Sequence, residues 1–357
     1  MKKGAYIIVG AQWGDEGKGL ISAYRAIRDN ALAVYRAGTG ANAEHGVFLR
    51  DNKTYLKVNQ LPLGWMFNPN TQIRIGSGVA VDPVKLTNEV MKYDLVERVK
   101  VDPRCPIISQ EHIQAEKESK GMNAIGSTFS GTGFCRAEFV LRKARQARDV
   151  MEDEILSDCG VEINKLAKEG VVGVECSQGF LLGLATSYDY PNTTSDNVGA
   201  MAGADDVLLN WKNISDVILV VKALPTREGS GSFGNVKELF SSEIESGKMF
   251  EASSIGGVMR RKAEAIDMDL LKYAVEVNGA TEIALTFCDH YDPAVTDAKK
   301  VDEVTEKVWD LVDEIEFKTK VPVTMLNTGK AFDNIIDISG NYYIDWEKIN
   351  NSLEKLV

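Results

Sequence analysis

Gly10-Ala11-Gln12-Trp13-Gly14-Asp15-Glu16-Gly17-Lys18-Gly19 follows directly on the apolar run Tyr6-Ile7-Ile8-Val9. A β-branched run that opens into glycines and a lysine predicts a first strand entering a phosphate-binding loop. Glycine lets backbone N–H groups approach phosphate oxygens closely, and Lys18 sets a cation against them. The segment departs twice from the common G-x-x-x-x-G-K-[ST] loop. Gln12 stands where the opening glycine belongs, and Gly19 replaces the metal-binding hydroxyl after the lysine. Asp15 and Glu16 instead put carboxylates among the phosphate donors. Such an acid repels a phosphate unless it holds a metal or takes a proton.

Further stretches carry chemistry-bearing residues. Asn42-Ala43-Glu44-His45 follows a glycine-bearing turn and holds one of only three histidines. Ile125-Gly126-Ser127-Thr128 precedes a basic series, Arg136, Arg142, Lys143, Arg145 and Arg148, whose plain reading is a solvated helix face. Gly173 to Gly179, Tyr190 to Ser195 and Lys222 to Gly229 each combine glycine or proline with hydroxyl, amide or cationic residues. Read alone, each is a turn or a loop.

In this order and spacing, across residues 4 to 330, these stretches resemble the motifs of the adenylosuccinate synthetase family. That family joins L-aspartate to the 6-oxo position of a purine nucleotide. The resemblance implies Asp15 as general base, with Lys18 and His45 neutralising charge on the phosphoryl group. It implies Gln12, Gly14, Glu16, Gly17 and Gly19 around the nucleoside triphosphate, ATP or GTP, with Phe287, Asp289, Asn327 and Gly329 at its base. For the purine nucleoside monophosphate it implies Ser22, Asn42, Ser127, Thr128, Gln178, Thr194, Thr226 and Gly229. Arg142 would reach that substrate across a homodimer interface. Ser253, Ser254, Arg260 and Arg261 would hold L-aspartate, and Mg²⁺ would sit on Asp15 and the backbone carbonyl of Glu44. In the implied reaction Asp15 takes the N1 proton, O6 attacks the γ-phosphate, and the aspartate amine then displaces the phosphoryl group from C6. Imidazole near neutral pH would supply the cationic donor beside the transferring group.

The chain also departs from the family pattern. Leu20-Ile21-Ser22-Ala23 replaces a segment that places a lysine and an aspartate beside the substrate base, and Ser22 or a turn there would provide both room and an acceptor for a 2-amino group near purine C2. Glu44 replaces a glycine, and the run ending Arg260-Arg261-Lys262 replaces a four-arginine loop of uncertain register. Thr286-Phe287-Cys288-Asp289 has an aromatic ring where the guanine-reading element has lysine, and Asn327-Thr328-Gly329-Lys330 alters the rim. These changes point toward adenine in the triphosphate. The 357 residues are fewer than the usual bacterial or eukaryotic members have, which leaves archaeal enzymes and phage-type 2-aminoadenylosuccinate synthases. The phage type uses dGMP with ATP or dATP on the way to diaminopurine DNA, and is the favoured reading over IMP with GTP. A P-loop-like switch and a catalytically silent nucleotide-binding protein are the readings from other classes.

Elsewhere the chain reads as an α/β protein. Strand-like runs at 5–9, 31–36, 72–75, 106–109, 171–175, 216–222, 281–286 and 321–326 alternate with helical patterns at 83–97, 136–155, 262–277 and 299–316. This predicts a large, mostly parallel central sheet flanked by helices, with the phosphate loop after the first strand. No linker divides residues 1–357, so a single domain is expected. A net charge of −11 argues against nucleic-acid binding. No apolar run approaches the roughly 20 residues of a membrane span, and the N-terminus does not read as a signal peptide. Five scattered cysteines form neither a disulfide framework nor a zinc spacing. A cytoplasmic protein is expected, in the host cytoplasm if phage-encoded.

Overall fold

The structure, a computed structural model, describes residues 3–240, 251, 260–340 and 342–357. Strand β1 (Gly4–Gly10) is buried along its whole length. Ile7 and Val9 enter the core on one face of the sheet, and Tyr6 and Ile8 the core on the other. An unbroken apolar run is what a strand covered on both faces requires. Each fully buried isoleucine stabilises the fold by about 1.5–3 kcal/mol.

β1 lies between β7 (Val171–Gly179) and β8 (Ile214–Lys222), parallel to both. Outward from β7 come β2 (Ala33–Arg36), β5 (Gln72–Ile75) and β6 (Val99–Val101). Outward from β8 come β11 (Glu282–Thr286), β12 (Val323–Asn327) and β13 (Ile335–Asp337). Among the described residues this makes a nine-stranded sheet in which β13 alone runs antiparallel. Two small ribbons stand beside it, β3 (His45–Phe48) with β4 (Tyr55–Val58), and β9 (Thr226–Arg227) with β10 (Arg261–Lys262). The expected α/β architecture with a large, mostly parallel sheet is therefore present.

Helices α1 (Lys18–Arg28), α2 (Pro83–Lys92), α3 (Gln110–Glu118), α4 (Lys120–Ile125), α5 (Thr132–Val140), α6 (Cys159–Glu169) and α7 (Ala200–Asp206) belong to the first 206 residues. Later helices cover Met268–Asn278, Cys288–Tyr291, Glu306–Thr319 and Trp346–Leu353. No helix among the described residues is long and apolar enough to cross a membrane.

Three local expectations fail. Residues 106–109 form isolated bridges to Val81 and Gln146 rather than a strand. The helix expected over 136–155 stops at Val140, because Arg142 turns into the left-handed region at φ 60°. Residues 20–23 are not a loop turn but lie inside α1, from its third residue on. At about 100° per residue, Leu20 and Ser22 face opposite ways: Leu20 stands on a cleft, while Ser22 is fully buried. Ser22 therefore cannot provide the acceptor or the space near the substrate base.

Candidate active site

The C-terminal ends of the parallel strands open into a cleft of about 650 Å³. Strand order reverses around β1, and such a switch point is where open α/β sheets leave a crevice for ligands. The glycine loop crosses this crevice and ends at Gly17, whose φ of 85° begins α1 with its N-terminus toward the cleft. Backbone N–H groups at such a terminus suit an anion.

Glu16 explains the acid inside the loop. It is wholly buried, its Oε1 accepting the N–H groups of Gln12 (3.1 Å) and Gly14 (2.8 Å) and its Oε2 the Lys18 ammonium (2.6 Å). Burial alone raises its pKa, but Lys18 and these hydrogen bonds outweigh it and hold the carboxylate below its usual range. A side chain on Gly10 or Gly179 would collide with this packed loop. Gln12 is also turned inward, spending both ends of its amide on the backbone of Lys222 (3.1 and 2.9 Å). The side chains of Gln12 and Glu16 thus shape the loop from inside and leave only its backbone to meet a nucleotide. Lys18, Gly14, Gly17, Gly19 and Asp15 do line the cleft.

Asp15 sits at φ 61° with its Oδ2 3.4 Å from Arg260 Nε. Burial raises its pKa above the ordinary carboxylate range, opposed by Arg260 and then Lys222. A carboxyl whose proton affinity is lifted in this way suits a general base.

Across the cleft, His45 opens β3. Its Nδ1 lies 2.6 Å from both Glu175 Oε1 and Arg36, and its Nε2 lies 3.2 Å from the Ser177 carbonyl. Burial, then Arg36, lowers its pKa to about 4. The expected cationic imidazole is thus neutral in the free chain. Asn42 Oδ1 accepts from Thr39 Oγ1 (3.0 Å) and Gln178 Nε2 (2.8 Å). This leaves Gln178 Oε1 a buried acceptor with no hydrogen-bond partner among the described residues, and Thr194 Oγ1 is in the same state. Asn42, Gln178 and Thr194 all line the cleft.

Ser127 and Thr128 line the cleft as well. The Ser127 hydroxyl donates to Glu116, which also accepts the Gly131 N–H, so Ser127 must leave Glu116 to donate to a phosphate. Thr226 is buried beneath the cleft, taking the Lys222 ammonium at 2.8 Å, and Gly229 packs on the Ile125 carbonyl. Neither lines the wall, contrary to expectation. Arg142 is exposed at the end of α5, away from the cleft of its own chain.

Of the residues expected to hold aspartate, Ser253 and Ser254 lie outside the described residues. Arg260 is on the cleft wall, 3.2 Å from Glu228 and 3.7 Å from Glu251. Arg261 turns away to Glu238 and the Gly229 carbonyl, so it is not a cleft residue. Behind Arg260, Glu251 meets Lys222 (2.5 Å) and Lys262 (2.7 Å).

Phe287, Asn327 and Gly329 form the far rim with Lys330. Asn327 gives its whole amide to the backbone: Oδ1 accepts from Phe287 N–H (3.2 Å), and Nδ2 donates to the carbonyls of Gly329 (2.8 Å) and Asn334 (3.0 Å). It shapes the rim rather than reading a base. Asp289 lies behind it, because the left-handed turn at Phe287 (φ 55°) starts a short helix that carries the acid off the wall. The Glu44 carboxylate is engaged with Lys57 at 2.7 Å, leaving its carbonyl as the metal-facing candidate. Arg36 and Glu116 lie in no motif, and Glu175 lies in one without a role assigned to it. They are visible only once distant strands and helices are brought together.

The family model described as adenylosuccinate synthetase matches residues 7–171 and 153–295. The adenylosuccinate synthetase of Thermococcus sibiricus is 38% identical over 344 residues, covering 94% of this chain and 99% of that one. The structure of the fully ligated Plasmodium falciparum adenylosuccinate synthetase superposes with a TM-score of 0.81 at 20% identity, over 93% of this chain and 99% of that one. Cyanophage S-2L succinoaminodeoxyadenylate synthetase, bound to dGMP and dATP, superposes at 0.78 with 21% identity over the full length of both chains.

Proposed function

The chain belongs to the adenylosuccinate synthetase family of C–N bond-forming ligases, and from that premise we propose that it joins L-aspartate to C6 of dGMP at the expense of ATP. One observation carries the chemistry: Asp15, with its raised proton affinity, and His45, backed by Glu175, line one cleft beside the N-terminus of α1. Asp15 takes the N1 proton of the 6-oxopurine, which makes O6 a nucleophile toward the γ-phosphate. His45 is neutral in the free chain. The negative charge of a bound triphosphate and the Glu175 carboxylate both favour its imidazolium, which then donates to the transferring group. Phosphorylation turns a poor leaving oxygen into a good one, and the aspartate amine displaces it from C6.

Mg²⁺ fits this donor set. Of the carboxylates on the cleft, Glu44, Glu116 and Glu228 are engaged with Lys57, Ser127 and Arg260, and Asp15 shares the cleft with the Glu44 backbone; Mg²⁺ is typically held by one or two carboxylates together with substrate phosphates. When bound it supplies charge neutralisation on the phosphates.

The choice of dGMP rests on Leu20. It lines the cleft where the resemblance expects a lysine, so no ammonium opposes a 2-amino donor. ATP rests on the rim, where Phe287 offers a ring face and Asp289 is withdrawn. The burial of Ser22 favours a second reading, IMP with GTP, because it removes the acceptor expected for the 2-amino group. Aspartate-dependent phosphate release measured separately with dGMP, GMP and IMP tests the assignment. The dGMP reading requires a cleft acceptor other than Ser22; left unpaired by IMP, it would cost about 1–3 kcal/mol, a preference for dGMP of roughly 5- to 150-fold in kcat/KM. Faster turnover of IMP would overturn the dGMP reading and leave the ligase intact.

A further inference from the structure

We propose that Glu175 is the positioning residue for His45 and that Arg36 fixes Glu175 in turn, resting on the reading that His45 faces the transferring phosphoryl group. Arg36 on β2 and Glu175 on β7 are direct register partners in the sheet. Both are wholly buried. A charged pair there is costly to desolvate, and apolar side chains of similar size serve stability as well or better. Its presence needs another reason, and the hydrogen bonds supply one.

Glu175 Oε1 takes Arg36 at 2.7 Å and His45 Nδ1 at 2.6 Å, while Oε2 takes the Leu63 N–H at 2.7 Å. The other Arg36 nitrogen donates to the carbonyls of Asn59 (3.2 Å) and Ala43 (3.4 Å), so it also pins the chain entering β3 and leaving β4. The imidazole is thereby held at Nδ1 by Glu175 and by Arg36, whose nearer nitrogen lies 2.6 Å from it, while the neighbouring chain at Ala43 and Asn59 is held by the guanidinium. His45 lines the cleft, and its Nε2 lies 3.2 Å from the Ser177 carbonyl, a contact it must exchange to meet a transferring phosphoryl group. A carboxylate on one ring nitrogen fixes both the tautomer and the ring plane for the other. The sheet register, rather than a loop, sets the aim of His45.

Glutamine at 175 cannot accept from His45, Arg36 and Leu63 as a carboxylate does. Glu175→Gln should lower kcat by roughly 10²-fold and leave KM for both nucleotides and aspartate within about threefold. That variant strands the Arg36 cation, so Arg36→Gln/Glu175→Gln, which removes both charges, separates folding from function. The double variant should regain the wild-type melting temperature within a few degrees and stay slow. In a His45→Ala background, adding Glu175→Gln should change kcat by less than about twofold, since Glu175 acts through the ring. Ring ¹⁵N spectra should show the proton on His45 Nδ1 in the wild type and its redistribution in Glu175→Gln. A double variant with wild-type turnover, or an equal loss from Glu175→Gln with and without His45, would overturn the proposal. A wild-type chain that releases no phosphate in the presence of aspartate would instead sink the functional reading, and the ¹⁵N spectra would still test the geometry.

Discussion

On one side of the cleft, His45 and Gln178 stand on β3 and β7, with His45 held by Glu175 of β7 and Arg36 of β2, and Gln178 reaching Asn42 in the turn between β2 and β3. On the other side, Arg260 and Phe287 stand on connections, and Arg260 is shared among Asp15, Glu228 and Glu251 at 3.2 to 3.7 Å. The strand-borne side is held mainly by buried contacts of 2.6 to 2.8 Å. On the connecting side, one cation spans several longer contacts that a ligand's carboxylates can replace. The contrast teaches a division of labour: the sheet aims the phosphoryl chemistry, and the connections choose what is joined. Asp15 belongs to both, lying on the loop from the central strand and touching Arg260.

Substitution at that junction should have the largest effect. Asp15→Asn removes the general base while keeping shape and hydrogen-bonding capacity, so ligation should fall by about 10²- to 10⁴-fold. Nucleotide affinity, read by equilibrium titration, should change little. Near-wild-type turnover would show that another group takes the N1 proton. On the acid side, kcat/KM should decline at a pH above the ordinary carboxylate range, because burial raises the Asp15 pKa in the free chain.

Arg260→Gln comes next and separates the two sides. The loss of one charge-assisted carboxylate partner costs about 1.5–3 kcal/mol, or roughly 10- to 150-fold. That loss should fall on KM for aspartate, with KM for the triphosphate nearly unchanged. An equal rise in both constants would mean that Arg260 organises the whole cleft, and the proposed division would fail.

How much of this was legible in the sequence follows the same line. Asp15, Lys18, His45 and Gln178 sit in short motifs whose chemistry can be read locally, and all four line the cleft. Glu16 and Gln12 share the first motif yet face inward, since a loop's sequence does not state which side chains it encloses. Ser22 was misplaced by helix phase: two residues beyond Leu20, it points to the sheet rather than the cleft. Glu175 and Arg36 are 139 residues apart, and only the parallel register of β2 with β7 pairs them. Nothing in a linear pattern announces such a contact. The helix expected over 136–155 failed for a local reason, the left-handed turn at Arg142.

The triphosphate end should respond more weakly. Phe287 presents a ring to the cleft with the Lys222 ammonium 4.1 Å from its centroid. ATP should be used at least as well as GTP, and Phe287→Ala should lower kcat/KM for ATP by roughly 2- to 10-fold through lost stacking. A strong preference for GTP in the wild type would show that Asp289 reads guanine after all, with the rim rearranging around it.

The smallest effect expected tests the strand-borne side from behind. Asp206 ends α7, and its Oδ2 accepts the Gly38 N–H at 2.8 Å, at the start of the loop that leads to Asn42 and His45. Burial raises its pKa from 3.8 to about 7, only partly offset by that hydrogen bond and by Arg136. Below the ordinary value both folded and unfolded chains carry the proton, and the group does not alter stability. As pH rises toward 7 the unfolded chain releases the proton while the fold retains it, so stability falls. Above that point both forms are ionised and the loss stays constant. The substitution Asp206→Asn keeps a carbonyl for the Gly38 N–H but leaves no proton to lose. Its melting temperature should therefore match the wild type near pH 3 and exceed it by pH 7.5, the gap opening between those values. A difference that does not change with pH would mean the carboxyl titrates normally. If kcat at pH 7.5 moves with the melting temperature, the loop before His45 takes its aim from α7 as well as from the sheet. If kcat stays fixed while stability rises, the strands alone set it.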